Sequence, residues 1–174
     1  MKRIAVDMDD VMADTSMKIV DEINNRVNKS YNYQDLFAET PLKYEFYQDY
    51  LANNSFLKEP GFFSDIAVKE DAIQVLAALQ NHYEIFIVSA ATEFPNSLKE
   101  KIEWMSIHFP FISWTNIVFC GHKYMIQADY LIDDHEKNLK TFTGTPILFT
   151  APHNTMITGY ERVNNWLEVK ELFL

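Results

Sequence analysis

The sequence predicts an α/β fold, in which helices cover both faces of a parallel sheet and a helical segment is inserted early in the chain. Three observations indicate this fold. From about residue 65 to residue 174, short apolar runs alternate with amphipathic segments. The first apolar run, Ile4 to Val6, ends in a cluster of aspartates. Between that cluster and the alternation, residues 31–63 hold ten of the 25 aromatic residues, which is typical of a separate subdomain core or of a stacking surface.

Each element follows from the spacing of its apolar residues. Ile4 to Val6 is a short continuous run, as expected for a strand that is buried on both faces. Residues 12–28 repeat apolar positions at three- and four-residue steps and predict a helix. The later elements follow the same two patterns, with strands predicted at 84–89, 116–120, 129–133 and 146–149 and helices at 69–82, 95–109 and 165–173.

Composition excludes several classes of protein. The 25 acidic and 15 basic residues give a formal charge of -10, which argues against binding of a nucleic-acid polymer or an anionic membrane. A single cysteine, Cys120, rules out an internal disulfide and fits a reducing cytoplasm, where we expect the protein to be. No apolar stretch approaches the ~20 residues of a membrane span, and the first apolar run is too short for a signal peptide.

The aspartates after the first strand require a compensating charge. Asp7, Asp9 and Asp10 lie within four residues, where like charges repel and lose hydration. Residues two apart on a strand point to the same side, so Asp7 and Asp9 project into one space at the carboxyl end of the sheet. A hard divalent cation with oxygen ligands offsets such repulsion best, and Mg2+ is the usual cation where phosphate is the substrate.

Polar residues also follow the later strands. The strand at 84–89 ends in Ser89, the strand at 116–120 is followed by Lys123, and the strand at 129–133 ends in Asp133 and Asp134. Ser89 alone is consistent with a helix cap and Lys123 alone with a surface lysine. Taken together, a hydroxyl, a lysine and further carboxylates at strand ends are the groups that phosphoryl transfer requires.

These residues resemble motifs I to IV of the haloacid dehalogenase (HAD) superfamily. Asp7-Met8-Asp9-Asp10-Val11 is similar to its phosphatase motif D-x-D-x-[TV], and Ser89, Lys123 and Asp133-Asp134 follow in the superfamily order. The resemblance implies a three-layer, doubly wound, Rossmann-like core formed by residues 1–13 and 64–174. It also implies that residues 14–63 form a small helical cap between motifs I and II.

The same resemblance implies a role for each motif residue. Asp7 is the expected nucleophile and Asp9 the expected general acid and base. Ser89 and Lys123 are expected to bind the phosphate. The expected Mg2+ ligands are Asp7, Asp9 through its carbonyl, and Asp134, with Asp133 either supporting the site or taking the place of Asp134.

A narrower resemblance is to the 5'(3')-deoxyribonucleotidases. Residues 60–63 (PGFF), 128–134 (ADYLIDD) and 149–154 (FTAPHN) carry it. It implies a Mg2+-dependent phosphomonoesterase that dephosphorylates deoxyribonucleoside monophosphates through an aspartyl-phosphate. Phe62 and Phe63 are candidates for a platform under the base, and the alternative is that both belong to the core of the cap.

Some positions depart from the family pattern or leave alternatives open. Asp10 stands where the superfamily usually has glycine, and Thr15 stands where relatives carry an aromatic residue beside the base. His153 and Asn154 either contribute to the site or hold a loop, and the loop is the preferred interpretation. A phosphatase for another small metabolite, such as a sugar phosphate, and a catalytically silent binding domain are the alternative functions. The preferred base, 5' or 3' preference and the oligomeric state, including a homodimer, stay open.

Overall fold

The computed structural model describes all 174 residues and contains one six-stranded sheet in which every pairing is parallel. The strand order is β3-β2-β1-β4-β5-β6, so the first strand of the chain lies in the middle. The predicted α/β class with a parallel sheet is therefore confirmed. The strands are β1 (Lys2–Val6), β2 (Tyr83–Ser89), β3 (Ile117–Phe119), β4 (Tyr130–Asp133), β5 (Thr145–Phe149) and β6 (Glu161–Val163).

Six α-helices connect and cover these strands, and none of them combines the length and the apolar composition that crossing a membrane requires. The first helix begins at Thr15 rather than at residue 12, because residues 8–13 form a turn in which Met12 N–H donates to the Met8 carbonyl. The helices are α1 (Thr15–Val27), α2 (Pro41–Asn53), α3 (Ala72–Leu79), α4 (Ser97–His108), α5 (Glu136–Leu139) and α6 (Trp166–Phe173).

Both faces of the sheet are covered, as the continuous apolar run of β1 predicts. Ile4 and Val6 belong to a large cluster of 32 buried apolar residues, and α3 and α6 pack into the same cluster through Val75 and Val169. Ala5 points to the other face and belongs to a cluster of six that includes Leu139 of α5. The alternation of side chains along β1 thus divides the core into two layers, one on each side of the sheet.

Residues between β1 and α3 form a mostly helical insertion. It contains α1, α2 and two 3₁₀ turns, Tyr33–Phe37 and Asn54–Lys58. Its largest buried side chains, including Phe46 and Phe56, belong to the same 32-residue cluster as the sheet residues Ile4 and Val6. The insertion therefore packs continuously onto one face of the sheet and does not have a hydrophobic core of its own.

Candidate active site

The central strands bring three of the predicted residues to one edge of the sheet. Asp7 directly follows β1, Ser89 ends β2 and Asp133 ends β4, and β1 lies between the other two strands. Asp7 is 5% exposed, and Ser89 and Asp133 are fully buried. Because the carboxyl ends of neighbouring parallel strands meet, the order of the strands brings these side chains close together.

Lys123 neutralises two of the carboxylates. Its Nζ lies 2.7 Å from Asp7 Oδ1 and 2.6 Å from Asp133 Oδ2, and its side chain is 1% exposed. Burial alone would lower the pKa of Lys123, but the charges of Asp7 and Asp133 outweigh burial and raise that pKa. For Asp7, burial and the neighbouring carboxylates raise the pKa well above its usual value, and the charge of Lys123 opposes that rise. Lys123 is therefore a charged group that is fixed between two carboxylates.

The structure distinguishes the adjacent residues Asp133 and Asp134, which the sequence does not. Asp133 accepts hydrogen bonds from Lys123, from the His135 N–H and from Asn138 Nδ2, so both of its oxygens have protein partners. Asp134 has an oxygen, Oδ1, that is buried and has no hydrogen-bond partner. Each of Asp7, Asp133 and Asp134 offers one oxygen to a group whose members lie within 4.8 Å of one another. An unpartnered buried carboxylate oxygen beside two other carboxylates is the donor set that suits a hard cation.

Two histidines contact the other oxygen of Asp134. His153 Nε2 lies 3.2 Å from Asp134 Oδ2 and His135 Nε2 lies 3.7 Å from it. The two imidazole rings are stacked, with their centroids 4.4 Å apart. Burial would raise the pKa of Asp134, but the hydrogen bond from His153 and the nearby positive charges lower it to about 2. Asp134 is therefore held ionised.

Asp9 lies in a different environment from Asp7. Its Oδ1 accepts a hydrogen bond of 3.0 Å from Thr15 Oγ1, and its Oδ2 forms an ion pair with Lys101. The Asp9 side chain is 32% exposed, whereas that of Asp7 is 7% exposed. Thr15 therefore orients the Asp9 carboxylate.

Lys101 also reaches the site, although no motif in the sequence marks it. Its side chain is 3% exposed, and its Nζ also donates to Ser89 Oγ at 3.1 Å and lies 4.9 Å from the centroid of the Phe63 ring. The sequence carried one signal for it, since Lys101 shares the buried face of α4 with Trp104 and Met105. A lysine at an apolar position of a helix is costly unless its charge is paired.

Asp10 and Ser16 form a local structure beside the carboxylates. Asp10 has a φ of 56°, a conformation that glycine adopts without strain, and the Ser16 N–H and hydroxyl both donate to its carboxylate. Burial and the nearby Asp134 raise the pKa of Asp10 to about 6. The hydrogen bonds from Ser16 thus stabilise a conformation that an aspartate rarely adopts.

A cavity of about 210 Å³ opens beside these residues, between the insertion and the loop that follows β5. Its lining is half apolar and includes three aromatic rings of α2 as well as the two stacked histidines. The lining residues are Asp10, Ser16, Ile19, Leu36, Phe46, Tyr47, Tyr50, His135, Pro152 and His153.

Phe62 and Phe63 do not line this cavity. They are 6% and 3% exposed, and their rings pack edge to face against each other. Phe62 also packs against Phe56, while Phe63 lies against Lys101. This packing agrees with the alternative that both rings belong to the core of the cap, and the base platform at these positions stays a prediction.

His153 and Asn154 have different roles, although they are neighbours. Asn154 Nδ2 donates to the carbonyls of Asp134 and Phe149, each at 2.8 Å, and its Oδ1 accepts from Arg162. Asn154 therefore holds the loop against the end of β4, as expected. His153 contacts the Asp134 carboxylate and lines the cavity, so it belongs to the site rather than to the loop alone.

Comparisons with known proteins agree with this geometry. A family model described as "5' nucleotidase, deoxy (Pyrimidine), cytosolic type C protein" matches residues 1–174. A Staphylococcus aureus (strain Mu50) protein named "Putative 5'(3')-deoxyribonucleotidase" is 42% identical over 173 residues, covering 99% of this chain and 96% of that protein. The 5'(3')-deoxyribonucleotidase of Bacillus subtilis (strain 168) is 38% identical over 175 residues, covering 99% of each chain.

Solved structures show the same fold at low sequence identity. A HAD family hydrolase from Deinococcus radiodurans with bound phosphate and sodium has a TM-score of 0.65 at 14% identity, over 97% of this chain and 93% of that one. A Bacillus subtilis protein described as "putative HAD-hydrolase YfnB", bound to magnesium, has a TM-score of 0.60 at 13% identity, over 99% of this chain and 98% of that one. The HAD-like three-layer fold is therefore confirmed.

Proposed function

The chain belongs to the 5'(3')-deoxyribonucleotidase family, and from this premise we propose that it hydrolyses deoxyribonucleoside monophosphates with the help of Mg2+. The observation that carries the proposal is the buried oxygen of Asp134 that has no protein partner and lies beside Asp7. A buried carboxylate oxygen without a donor is costly in a folded protein. A bound cation that also orients a phosphate offsets this cost.

The residues present suit a magnesium ion. Asp7, Asp134 and the backbone carbonyl of Asp9 would hold it, because Asp133 already shares both of its oxygens with protein donors. When bound, Mg2+ would neutralise the carboxylates and offset the negative charge on the phosphoryl oxygens. The histidines on the far oxygen of Asp134 would keep that carboxylate ionised and fixed in orientation.

The reaction we propose has two steps. An oxygen of Asp7 attacks phosphorus as the bond to the nucleoside oxygen breaks, and Asp9 gives its proton to that leaving oxygen. Water, which gives a proton to Asp9, then attacks the aspartyl-phosphate. The bond between phosphorus and Asp7 breaks, and phosphate leaves. Ser89 and Lys123 donate to the phosphoryl oxygens throughout, where negative charge must be stabilised.

The insertion supplies the other half of the site in this proposal. Residues 14–63 act as a cap on a core of residues 1–13 and 64–174, and the cavity beneath α2 takes the nucleoside. Tyr47 and Tyr50 offer ring surface to a base, and stacking of a base on an aromatic ring contributes ~1–3 kcal/mol. Residues 31–63 contain only two basic residues, Lys43 and Lys58, and neither lines the cavity. The lack of a positive charge there disfavours the binding of a second phosphate.

We also place the enzyme in the cytoplasm, as the single cysteine indicates.

A substrate panel tests the proposal. The purified protein is assayed with deoxynucleoside 5'- and 3'-monophosphates, nucleoside diphosphates, hexose phosphates and an aryl phosphate, each in EDTA and in Mg2+. We expect deoxynucleoside monophosphates to give the highest kcat/KM, no activity in EDTA and full recovery with Mg2+. A preference for hexose phosphates would move the protein to the sugar-phosphate alternative. Full activity in EDTA would exclude the metal, and inactivity on every substrate would favour a silent binding domain.

A further inference from the structure

Two histidines converge on a single carboxylate oxygen just after β4. His135 Nε2 lies 3.7 Å from Asp134 Oδ2, and His153 Nε2 lies 3.2 Å from the same oxygen. Only the shorter of these two contacts is within hydrogen-bond distance. The rings are stacked, so the second imidazole lies directly against the first without bonding to the carboxylate. A hydrogen bond to Asp134 needs one imidazole and therefore does not account for the other.

The three donor atoms have the spacing of a tetrahedral metal site. Imidazole nitrogens and carboxylate oxygens bind Zn2+ at about 2.0–2.2 Å, so two ligands of one tetrahedral ion lie about 3.4 Å apart. The contacts of 3.2 and 3.7 Å at Asp134 Oδ2 lie on either side of that value. All three side chains offer a donor atom within 4.8 Å of the other two. Small rotations of the rings would therefore complete the coordination triangle.

The cluster is open to the cavity and carries the charge that a cation needs. The Asp134 side chain is 2% exposed, whereas those of His135 and His153 are 48% and 24% exposed, and both histidines line the cavity. Asp10 adds a second carboxylate to the same lining. A divalent ion can thus enter through the cavity and meet two imidazoles beside a fixed carboxylate. Such mixed ligands suit transition cations, whereas Mg2+ prefers oxygen ligands alone.

We propose that His135, His153 and Asp134 Oδ2 form a second metal site, which binds a transition cation such as Zn2+ in addition to the proposed Mg2+. The two sites use different oxygens of one carboxylate, because Oδ1, which has no protein partner, is left for Mg2+. Asp134 bridges the two ions when both are bound. The structure brings three protein ligands to the second ion, so its fourth position is left to water.

The second site has a consequence for activity, which rests on the proposed function. That function places the nucleoside in the cavity and Mg2+ on Asp134. A cation on the two histidines occupies the cavity wall, and it competes with Mg2+ for the negative charge of the shared carboxylate. Zn2+ is therefore expected to inhibit hydrolysis even when Mg2+ is saturating.

Binding of Zn2+ tests the site without turnover. Isothermal titration calorimetry in excess Mg2+ compares the wild type with His135→Gln, with His153→Gln and with His122→Gln, a control at an exposed position outside the cluster. We expect Zn2+ to bind at least on the order of 10- to 100-fold more weakly to the first two variants, since losing even a supporting partner of a metal ligand has an effect of this size. The control should match the wild type.

Unchanged Zn2+ affinity in either cluster variant would overturn the proposal. The His135 side chain is about half exposed, so His135→Gln is expected to fold even if His153→Gln does not, and the test can be decided on it alone.

A spectroscopic measurement separates this site from Zn2+ that replaces Mg2+. Tetrahedral Co2+ absorbs visible light much more strongly than Co2+ in a six-coordinate oxygen site, so Co2+ serves as the probe. We expect strong bands in the wild type and in Asp7→Asn, which lacks a proposed Mg2+ ligand but keeps both histidines, and their loss in His135→Gln. Weak bands in the wild type, or strong bands that Asp7→Asn abolishes, would overturn the proposal.

Inhibition is measured separately, so that the two proposals can fail separately. Hydrolysis of a deoxynucleoside monophosphate in saturating Mg2+ is titrated with Zn2+, each variant being compared with its own uninhibited rate. His135→Gln should need at least on the order of 10-fold more Zn2+ for half-inhibition. Equal sensitivity to Zn2+ would reject the inhibitory role. A wild type that binds Zn2+ through the histidines but hydrolyses no phosphomonoester would reject the proposed function and retain the second metal site.

Discussion

The site has two walls that differ in how they are built. One is the carboxyl edge of the sheet, where Asp7, Ser89 and Asp133 are nearly or fully buried and follow directly from paired strands. The other is formed by α2 and the loop after β5, where Tyr47 and Tyr50 are only partly buried. The first wall is fixed by a ladder of backbone hydrogen bonds, and the second by the packing of side chains.

A few polar contacts join the second wall to the core. Lys43 of α2 is buried, and its Nζ donates to the Pro152 carbonyl at 2.7 Å and lies 3.3 Å from Thr155 Oγ1. Thr155 also donates to Glu39 at 2.9 Å. The comparison indicates that the proposed chemistry lies on the wall that backbone pairing fixes, while the proposed choice of substrate lies on the wall that side-chain packing fixes.

The largest expected effect lies on the sheet wall. Asp7→Asn removes the nucleophile, because an amide does not attack phosphorus, and turnover should fall by on the order of 10⁴-fold or more. The measurement is the initial rate with a deoxynucleoside monophosphate, together with the thermal midpoint. Asp21→Asn, at an exposed position of α1, is the matched control and should retain full activity. Substantial turnover by Asp7→Asn would remove the covalent step.

The second prediction separates stability from chemistry on the same wall. Lys123→Met leaves Asp7 and Asp133 buried without their shared cation, so we expect the free energy of unfolding to fall by about 3–5 kcal/mol. Urea unfolding measures the loss, with Lys99→Met as an exposed control that should stay within about 0.5 kcal/mol. If Lys123→Met unfolds like the wild type, the two carboxylates do not depend on this lysine.

The smallest effect is expected on the second wall and concerns selectivity. Tyr47→Ala should lower kcat/KM for deoxynucleotides by roughly 10-fold, since it removes ring surface from the cavity, and should leave a small alkyl phosphate almost unaffected. Phe62→Ala is the matched comparison, because this ring is buried outside the cavity. It should reduce stability by about 3 kcal/mol and affect both substrates equally. The reverse pattern would return the base platform to Phe62.

The sequence predicted the sheet wall because its determinants are local. A buried apolar run followed by a polar residue marks a strand end, and parallel topology then collects those ends at one edge. Asp7, Ser89, Lys123 and Asp133 were identifiable in this way. The edge strand β6 was missed, because Glu161-Arg162-Val163 is short and largely polar. Its pairing with β5 is decided by the tertiary fold and not by its own pattern.

The second wall and Lys101 depend on long-range packing. Lys101 reaches Asp9 from 92 residues away, across the contact of α4 with the sheet edge. Which aromatic residues of the insertion face the cavity depends on how α2 lies against the loop after β5. The sequence around Phe62 and Tyr47 does not indicate that Tyr47 lines the cavity and Phe62 does not. Sequence periodicity predicts that a helix has a buried face but does not identify what that face will meet.

The central position of β1 has a consequence for how the protein is made. This strand leaves the ribosome before the other strands of the sheet, yet its partners are β2, more than 70 residues later, and β4, which ends at Asp133. Contacts of such high sequence separation close slowly, because the loop entropy must be lost before the pairing is gained. Until β4 is synthesised, one side of β1 remains an unpaired apolar edge, which is open to pairing with other chains. Asp7, the proposed nucleophile, directly follows this strand, so a nascent chain that lacks β4 cannot place Asp133 beside it.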